Sequence, residues 1–451
     1  MKSAFFKIAP ILLAGLIAVP MPSAVCQAQP APYRLTLRDA IQKALQANLN
    51  VLVAGTRVDE AEGARQRSMS AALLPRVSAQ TYANVQNRDL RAFGISVPGL
   101  PIPNVVGPFS NYDFRLYAQQ NVIDLESFRT FKASELAVNA GKMDEQDARD
   151  LIVRSIAALY LDAQSASARV DSAQSRVTDS TTLLKLAQDK HDAGTATGVD
   201  VLRAQVQLAN DKQALLVAQN QLKQSLLALA RNLGMNPATP LELAEPLSYR
   251  SLPLPQPETL LSSALKSRAD YLSLATQREG LIEQQRASRA RYYPKLSLNG
   301  NIGEIGRSIA GVQTTGLIQG QIDFTVFDRD RDGEAQQLAG RLKRIDDQIA
   351  DLQRGVDEDI REALLNLDSA AEQVSVAQQG QELAQRELRL SQDRFQAGTA
   401  NNVEVVTAQD ELARAEENVI VAVSSHVDAK FALARALGDT EKNILQFMSN
   451  P

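Results

Sequence analysis

The spacing of apolar residues changes several times along this chain, and the changes come twice in the same order. From Thr36 to about Ala72 apolar positions recur at helical spacing among paired charges, and Pro75 stops the run. Beyond the proline the period drops to two. Val77, Ala79 and Val85 alternate with Ser78, Gln80 and Asn84, then Tyr112, Phe114, Leu116 and Ala118 with Asp113, Arg115 and Gln119. The stretch from Glu126 to about Asp192 has no proline and predicts a single helix; about 65 residues span roughly 100 Å. A helix that long calls for coiled-coil partners. The next segment offers a seam, with Val201, Leu208, Leu215, Leu222 and Leu229 at every seventh position.

The second pass follows the same plan. A helix from about Glu258 to Arg291 stops at Pro294, and Leu296, Leu298 and Ile302 then alternate with Ser297, Asn299 and Asn301. Ile318, Ile322, Phe324 and Val326 alternate with Gln319, Gln321 and Asp323. A second proline-free helix runs from Gly333 to about Gln396, and Val405, Leu412, Val419, His426 and Leu433 repeat the seam. The duplication is visible residue by residue. LAQDKHDAGTATGVDVL, beginning at Leu186, returns as LSQDRFQAGTANNVEVV, beginning at Leu390, an offset of 204 residues. The register holds without a gap to ALARNLG ending at Gly234 and ALARALG ending at Gly438. An offset of that size marks a duplicated half and not a solenoid unit. The expected layout is a signal segment over residues 1–28 and a first repeat over 29–234, with strands at about 76–87 and 111–123. A Pro-rich linker over 235–257 leads to a second repeat over 258–438, with strands at about 295–304 and 316–328, and a tail over 439–451.

The alternating segments admit two readings. About ten residues, apolar on one face and polar on the other, suit a membrane β-barrel strand with lipid outside and water inside. An antiparallel sheet on the surface of a soluble domain shows the same alternation. The segments joining the strands, Phe93 to Pro108 and Gly303 to Gly316, are rich in turn residues.

Composition narrows the function classes. A net charge of −4 implies no basic surface for nucleic acid or acidic lipid. Two histidines and one cysteine argue against a metal site or a Cys/His nucleophile. There is no phosphate loop, nucleophile elbow or paired catalytic carboxylates, so neither catalysis nor a cofactor is expected. The run Asp328 to Gly333 begins like a calcium loop, but its twelfth position is Ala339 and not an acid, which leaves a strand-to-helix corner. His191 falls at a hairpin tip, and His426 is expected to be a polar seam residue that fixes register. Near the N-terminus, Lys2, Lys7 and the apolar run Ile8 to Val19 read as a secretory signal, shorter than the roughly 20 residues of a membrane span. Cleavage after Ala28 removes Cys26; the alternative makes Cys26 a lipidated N-terminus, which Ser23 and Val25 fit poorly.

The repeated Ala-Gly-Thr motif has a local explanation. Gly194-Thr195 and Gly398-Thr399 sit where a long helix ends, and glycine supplies the left-handed residue of a helix C-cap. Thr197-x-x-Asp200 and Asn401-x-x-Glu404 then resemble capping boxes that start the next helix. Asp200 and Glu404 suit the positive end of a helix dipole; they also suit a charged ring at a channel mouth.

Taken in this order, the duplicated helix–strand–strand–long helix–helix plan, the Leu74-Pro75 and Tyr293-Pro294 strand starts and the paired hairpins resemble the TolC-like outer-membrane efflux and secretion channels. The resemblance runs from about Leu35 to Gly438. It implies a mainly α fold with a membrane β-barrel portion: a homotrimer whose twelve-stranded barrel lies among outer-membrane lipid and continues as a periplasmic barrel of twelve helices. It implies a periplasmic adaptor and an inner-membrane transporter as partners. The family's periplasmic gate maps to Glu404, with Asp200 as the matching acid of the first repeat. Three departures stand out: the second ring acid is Thr407, and the latching tyrosine and arginine are Phe395 and Ala400. The closed tip must therefore be held differently, with the coiled-coil seams expected to hold it. The leading expectation is an exit duct for small toxic compounds. Protein export by a type I secretion system and a soluble periplasmic coiled-coil scaffold are the alternatives.

Overall fold

A computed structural model describes residues 33–94, 103–253 and 257–449. The expected signal segment and Cys26 lie outside the described residues. Two helices, α3 (Leu125–Asp192) and α7 (Asp330–Gln396), run 68 and 67 residues without interruption. Each turns at a short tip into a shorter antiparallel partner, α4 (Gly198–Asn232) and α8 (Asn402–Leu437). No helix among the described residues is long and apolar enough to cross a membrane.

The first helix of each half is two helices and not one. α1 (Leu37–Ala47) and α2 (Leu49–Leu73) meet at Asn48; α5 (Pro257–Ser267) and α6 (Ala269–Ala290) meet at Arg268. Both junction residues are extended. The Asn48 side chain accepts from the Asn50 amide at 2.9 Å and so starts the next helix. Packing from far along the chain holds each break. Gly234 (φ +66°) lies so close to Ala47 that a Cβ would come within 2.6 Å of the alanine methyl. Gly438 (φ +78°) does the same against Ser267 and Arg268, at 2.8 and 2.9 Å. Only glycine suits both the left-handed backbone and the missing space.

At the other end four strands form an antiparallel sheet in the order β2–β3–β5–β6: β2 (Arg76–Asp89), β3 (Val105–Ile123), β5 (Lys295–Gly306) and β6 (Gln313–Asp323). The register puts the apolar sets on one face: Val77 opposite Ala118, Ala79 opposite Leu116, Leu116 opposite Ile302, and Leu296 opposite Ile322. β6 ends at Asp323, so Phe324 and Val326, expected on a strand running to 328, lie in an irregular connection. That connection leads into the corner: the Asp328 carboxylate accepts from the Asp330 amide at 3.1 Å, and Asp330 and Asp332 occupy the first turn of α7.

The helices lie side by side in one layer. Toward the tips the neighbours run α4–α3–α8–α7; toward the sheet they run α2–α3–α6–α7. The main core lies at the waist, where Leu35, Ile41, Ile156, Tyr160, Leu229, Phe431 and Ile444 are buried together. Each such large side chain contributes about 1.5–3 kcal/mol. The segment expected to be a linker takes part in this core. Its strand β4 (Leu241–Leu243) pairs in parallel with β1 (Tyr33–Leu35), and Tyr160 donates to the Leu35 carbonyl at 3.1 Å. The tail adds α9 (Thr440–Ser449), which carries Ile444. His426 is buried against this same segment, its ring 4.8 Å from Tyr249. The segment expected to be a linker thus supplies an aromatic partner for this seam position. Burial pushes the imidazole down to about 4, so it stays neutral at physiological pH.

An ionic cluster spans the two halves at the waist. Arg435 on α8 meets Asp147 on α3 at 2.5 Å, with Asp270 at 3.8 Å and Asp150 at 3.9 Å. Asp150 is 2% exposed, and burial raises its carboxyl to about 6 although Arg435 pulls the other way. The folded chain thus holds this proton more tightly than the unfolded one. The resulting stability is full below about pH 4 and is lost as pH rises through about 6. Asp150→Asn should therefore be more stable than the parent at pH 8, by up to about 3 kcal/mol, with the gap closing below about pH 4. Urea unfolding at both pH values measures this; a variant that is less stable at pH 8 contradicts it.

Candidate functional site

The tips bring the expected residues together. α3 ends at Asp192 with Ala193 as its cap, and Gly194 takes φ +74° so that the Thr195 amide reaches back to the Lys190 carbonyl at 2.8 Å. Gly398 does the same at φ +76°, with the Thr399 amide donating to the Arg394 carbonyl at 3.0 Å. Both threonine hydroxyls bond the same carbonyls as their amides do. Free carbonyls at the helix ends are satisfied in this way.

The two acids differ in their bonding. Asp200 closes a full capping box: its amide donates to the Thr197 hydroxyl oxygen at 3.4 Å, and its carboxylate accepts from the Thr197 amide at 3.0 Å and hydroxyl at 2.6 Å. The hydroxyl bond holds the Asp200 carboxyl below the usual carboxylate range, so it is ionised at neutral pH. At the second tip only half of the box forms. Asn401 accepts from the Glu404 amide at 3.3 Å, but the Glu404 carboxylate turns away and pairs with Arg394 at 2.5 Å. Arg394 is long enough to draw Glu404 out of the cap.

Sequence reasoning missed two residues that join the hairpins to each other. Asn402, fully buried, donates from its side chain to the Asp200 carbonyl at 2.8 Å. Lys190 donates to the Gln396 carbonyl at 3.1 Å and lies 5.3 Å from the centre of the Phe395 ring. Phe395 sits in an apolar plug with Leu183, Ala187, Leu388 and Val405 just above the tips. The phenylalanine thus serves the plug, and these two bonds to backbone carbonyls cross from one hairpin to the other. Seam packing is accordingly not the sole link between them. Lys190 and Arg394 occupy equivalent places in the two repeats. A base in a last helical turn fits the dipole anyway, which hid their further use.

Both flanks of the subunit are open. Among the described residues, β2, α2 and α4 form one outer edge, and β6 and α7 form the other, where α7 meets α5 only near the waist. The open helices carry exposed apolar stripes. On α7, Leu365, Val376, Leu383 and Leu390 follow each other at intervals of eleven, seven and seven residues, so they fall on one narrow face. On α4, Val199, Leu202, Val206, Leu216, Val217 and Leu227 also share a face. That face points away from the seam leucines, which pack on α3. Exposed apolar surface of this length marks an interface.

A sheet with one apolar face, joined to a wall of helices about 100 Å long that ends in two capped hairpins, defines the subunit of an outer-membrane channel with a periplasmic extension. The model of the outer membrane efflux protein family matches residues 40–235 and 260–439, and the chain belongs to that family. It is 24% identical over 422 residues to the pyoverdine export outer membrane protein OpmQ of Pseudomonas aeruginosa, covering 89% of this chain and 85% of that one. The toluene efflux pump outer membrane protein TtgC of Pseudomonas putida is 23% identical over 419 residues, covering 89% and 82%. Among solved structures, the outer-membrane channel OprN superposes with a TM-score of 0.73 at 20% identity, covering 89% of each chain. VceC of Vibrio cholerae gives 0.73 at 19% identity, covering 89% of this chain and 96% of that one. The protein is thus an outer-membrane channel of an efflux or export system, a duct and not an enzyme. This membership overturns the soluble-scaffold alternative.

Proposed function

We propose that three copies of this chain close into a channel that carries small toxic compounds out of the cell, fed by an inner-membrane transporter through a periplasmic adaptor. The observation that carries the assembly is the pair of open flanks. Four strands cannot close a membrane barrel, for which about eight is the minimum. A first-half flank joined to a second-half flank is a head-to-tail contact, which must close into a ring to leave no free edge. The two repeats, residues 29–234 and 258–438, act as two similar wedges of that ring, and residues 235–257 strap them at the waist. Small-molecule cargo is favoured over protein because OpmQ is named for pyoverdine export and TtgC for toluene efflux.

Glu404 and Asp200 form the acidic ring at the closed periplasmic end of this channel. Reversal potentials in a salt gradient across a planar bilayer test both the pore and the ring. The wild type should conduct weakly and prefer cations. Glu404→Gln removes three carboxylates and leaves three Arg394 guanidiniums unpaired, so the preference should move toward anions. Asp200→Asn should do less, because that carboxylate is tied into its cap and its side chain is 14% exposed. An unchanged reversal potential in Glu404→Gln removes this residue from the gate; a protein that never conducts removes the channel reading altogether.

A further inference from the structure

The polar face of the sheet is almost uncharged. Away from the strand ends it presents Ser78, Gln80, Asn84, Asn299, Asn301, Gln319 and similar side chains, and among the described residues Asp113 and Arg115 are its only charges there. These two make a bidentate pair on one strand: the Arg115 Nε donates to Asp113 Oδ1 at 2.7 Å and the second nitrogen to Oδ2. Tyr82, directly opposite on β2, donates its hydroxyl to Asp113 Oδ2 at 2.8 Å. Asp113 is left 1% exposed, and the Arg115 side chain 22%. Gly303 faces Arg115 across the β3–β5 ladder; a Cβ there would lie 2.6 Å from both the Cα and the Cγ of Arg115. The glycine thus lets the arginine stem lie flat along the sheet.

We propose that Asp113, Arg115 and Tyr82 form a charge-compensated collar inside the barrel, in which Asp113 holds Arg115 against the wall so that this section passes cargo of either charge. The inference rests on the polar face lining the lumen of a closed trimer. Three copies then bring three guanidiniums to one level of the pore. Each is neutralised by its own carboxylate and folded out of the path. Charge preference is left to the tip, and Asp113 determines specificity by what it suppresses. Released, the three guanidiniums would make a bidentate site for phosphate or carboxylate groups.

The test uses the full-length channel in planar bilayers, with inorganic tripolyphosphate added on the barrel side. Wild type should be blocked weakly. Asp113→Asn should lower the concentration for half block by at least about tenfold. Arg115→Gln should show no block, and the double variant should match it. An Asp113→Asn channel that conducts yet is no more sensitive than wild type overturns the collar. Should that variant fail to assemble, Tyr82→Phe removes a single hydrogen bond and must raise sensitivity at least about twofold; no change overturns the proposal equally. The barrel itself is checked separately with single cysteines in a background lacking Cys26. A charged thiol reagent should alter current at Gln319→Cys and not at Ile318→Cys. Equal silence at both sinks the lumen reading and not the collar chemistry.

Discussion

Replacing Leu383 by glutamate should return the assembled channel to single subunits. Leu383 is 63% exposed in the isolated chain and stands in the middle of the α7 stripe. Against a neighbouring α4 it would be covered, and a carboxylate buried there without a partner costs several kcal/mol, three times per ring. Leu216→Glu on the opposing stripe should do the same. Leu383→Ala should weaken assembly by only about 1.5–3 kcal/mol per site. Ser375→Glu, on the same helix but off the stripe, should leave the trimer intact. Light scattering coupled to size exclusion in detergent reads all four. A Leu383→Glu protein that keeps trimer mass would show that α7 does not face another subunit.

The second large effect concerns the tip. Asn402→Ala with Lys190→Ala removes the two side-chain bonds to backbone carbonyls that cross between hairpins at the tip. It leaves each hairpin's own caps, and the Gln207–Asp410 and Arg169–Glu417 bonds farther from the tip, in place. Two such bonds, one from a charged donor, contribute about 2 kcal/mol per subunit, a factor of about 30 in the ratio of closed to open tips. The double variant should therefore conduct severalfold more than wild type in planar bilayers and should sensitise cells to large antibiotics. Arg394→Gln should open the tip less, because its bond to Glu404 stays within one hairpin. If the double variant conducts like the parent, other contacts hold the tip and these two bonds do not.

The long helices could be read from the chain because their signal is local and sustained. The absence of proline and the seven-residue seam set them within a few residues, Glu126 against an observed Leu125 and Gly333 against an observed Asp330. The strand faces could be read for the same reason, since alternation is itself the geometry of a pleated strand. What escaped depends on partners far away. The breaks at Asn48 and Arg268 lie inside helical periodicity and are held by glycines about 170–190 residues downstream. Phe324 and Val326 keep the alternation, yet the chain has already left the ladder. At the tips the capping motifs and the glycines were plain, but Asn402 and Lys190 bind backbone carbonyls, and a carbonyl has no signature in sequence. Glu404 looked like a capping acid until the Arg394 geometry showed where its carboxylate goes.

The seating of Gly234 on Ala47, and of Gly438 on Ser267 and Arg268, means that each half ends where it began. A stretch of chain whose two ends meet is a portable module: it can be copied in tandem, and the copy needs only a short connector to sit beside the original. Duplication could then proceed by a single event without redesign of either copy's interior. Leu35 and Ile444 share the waist core, and this second meeting of distant segments makes the molecule a candidate for circular permutation. A chain opened at the turn between α3 and α4 and rejoined through its own waist would keep every helix in place.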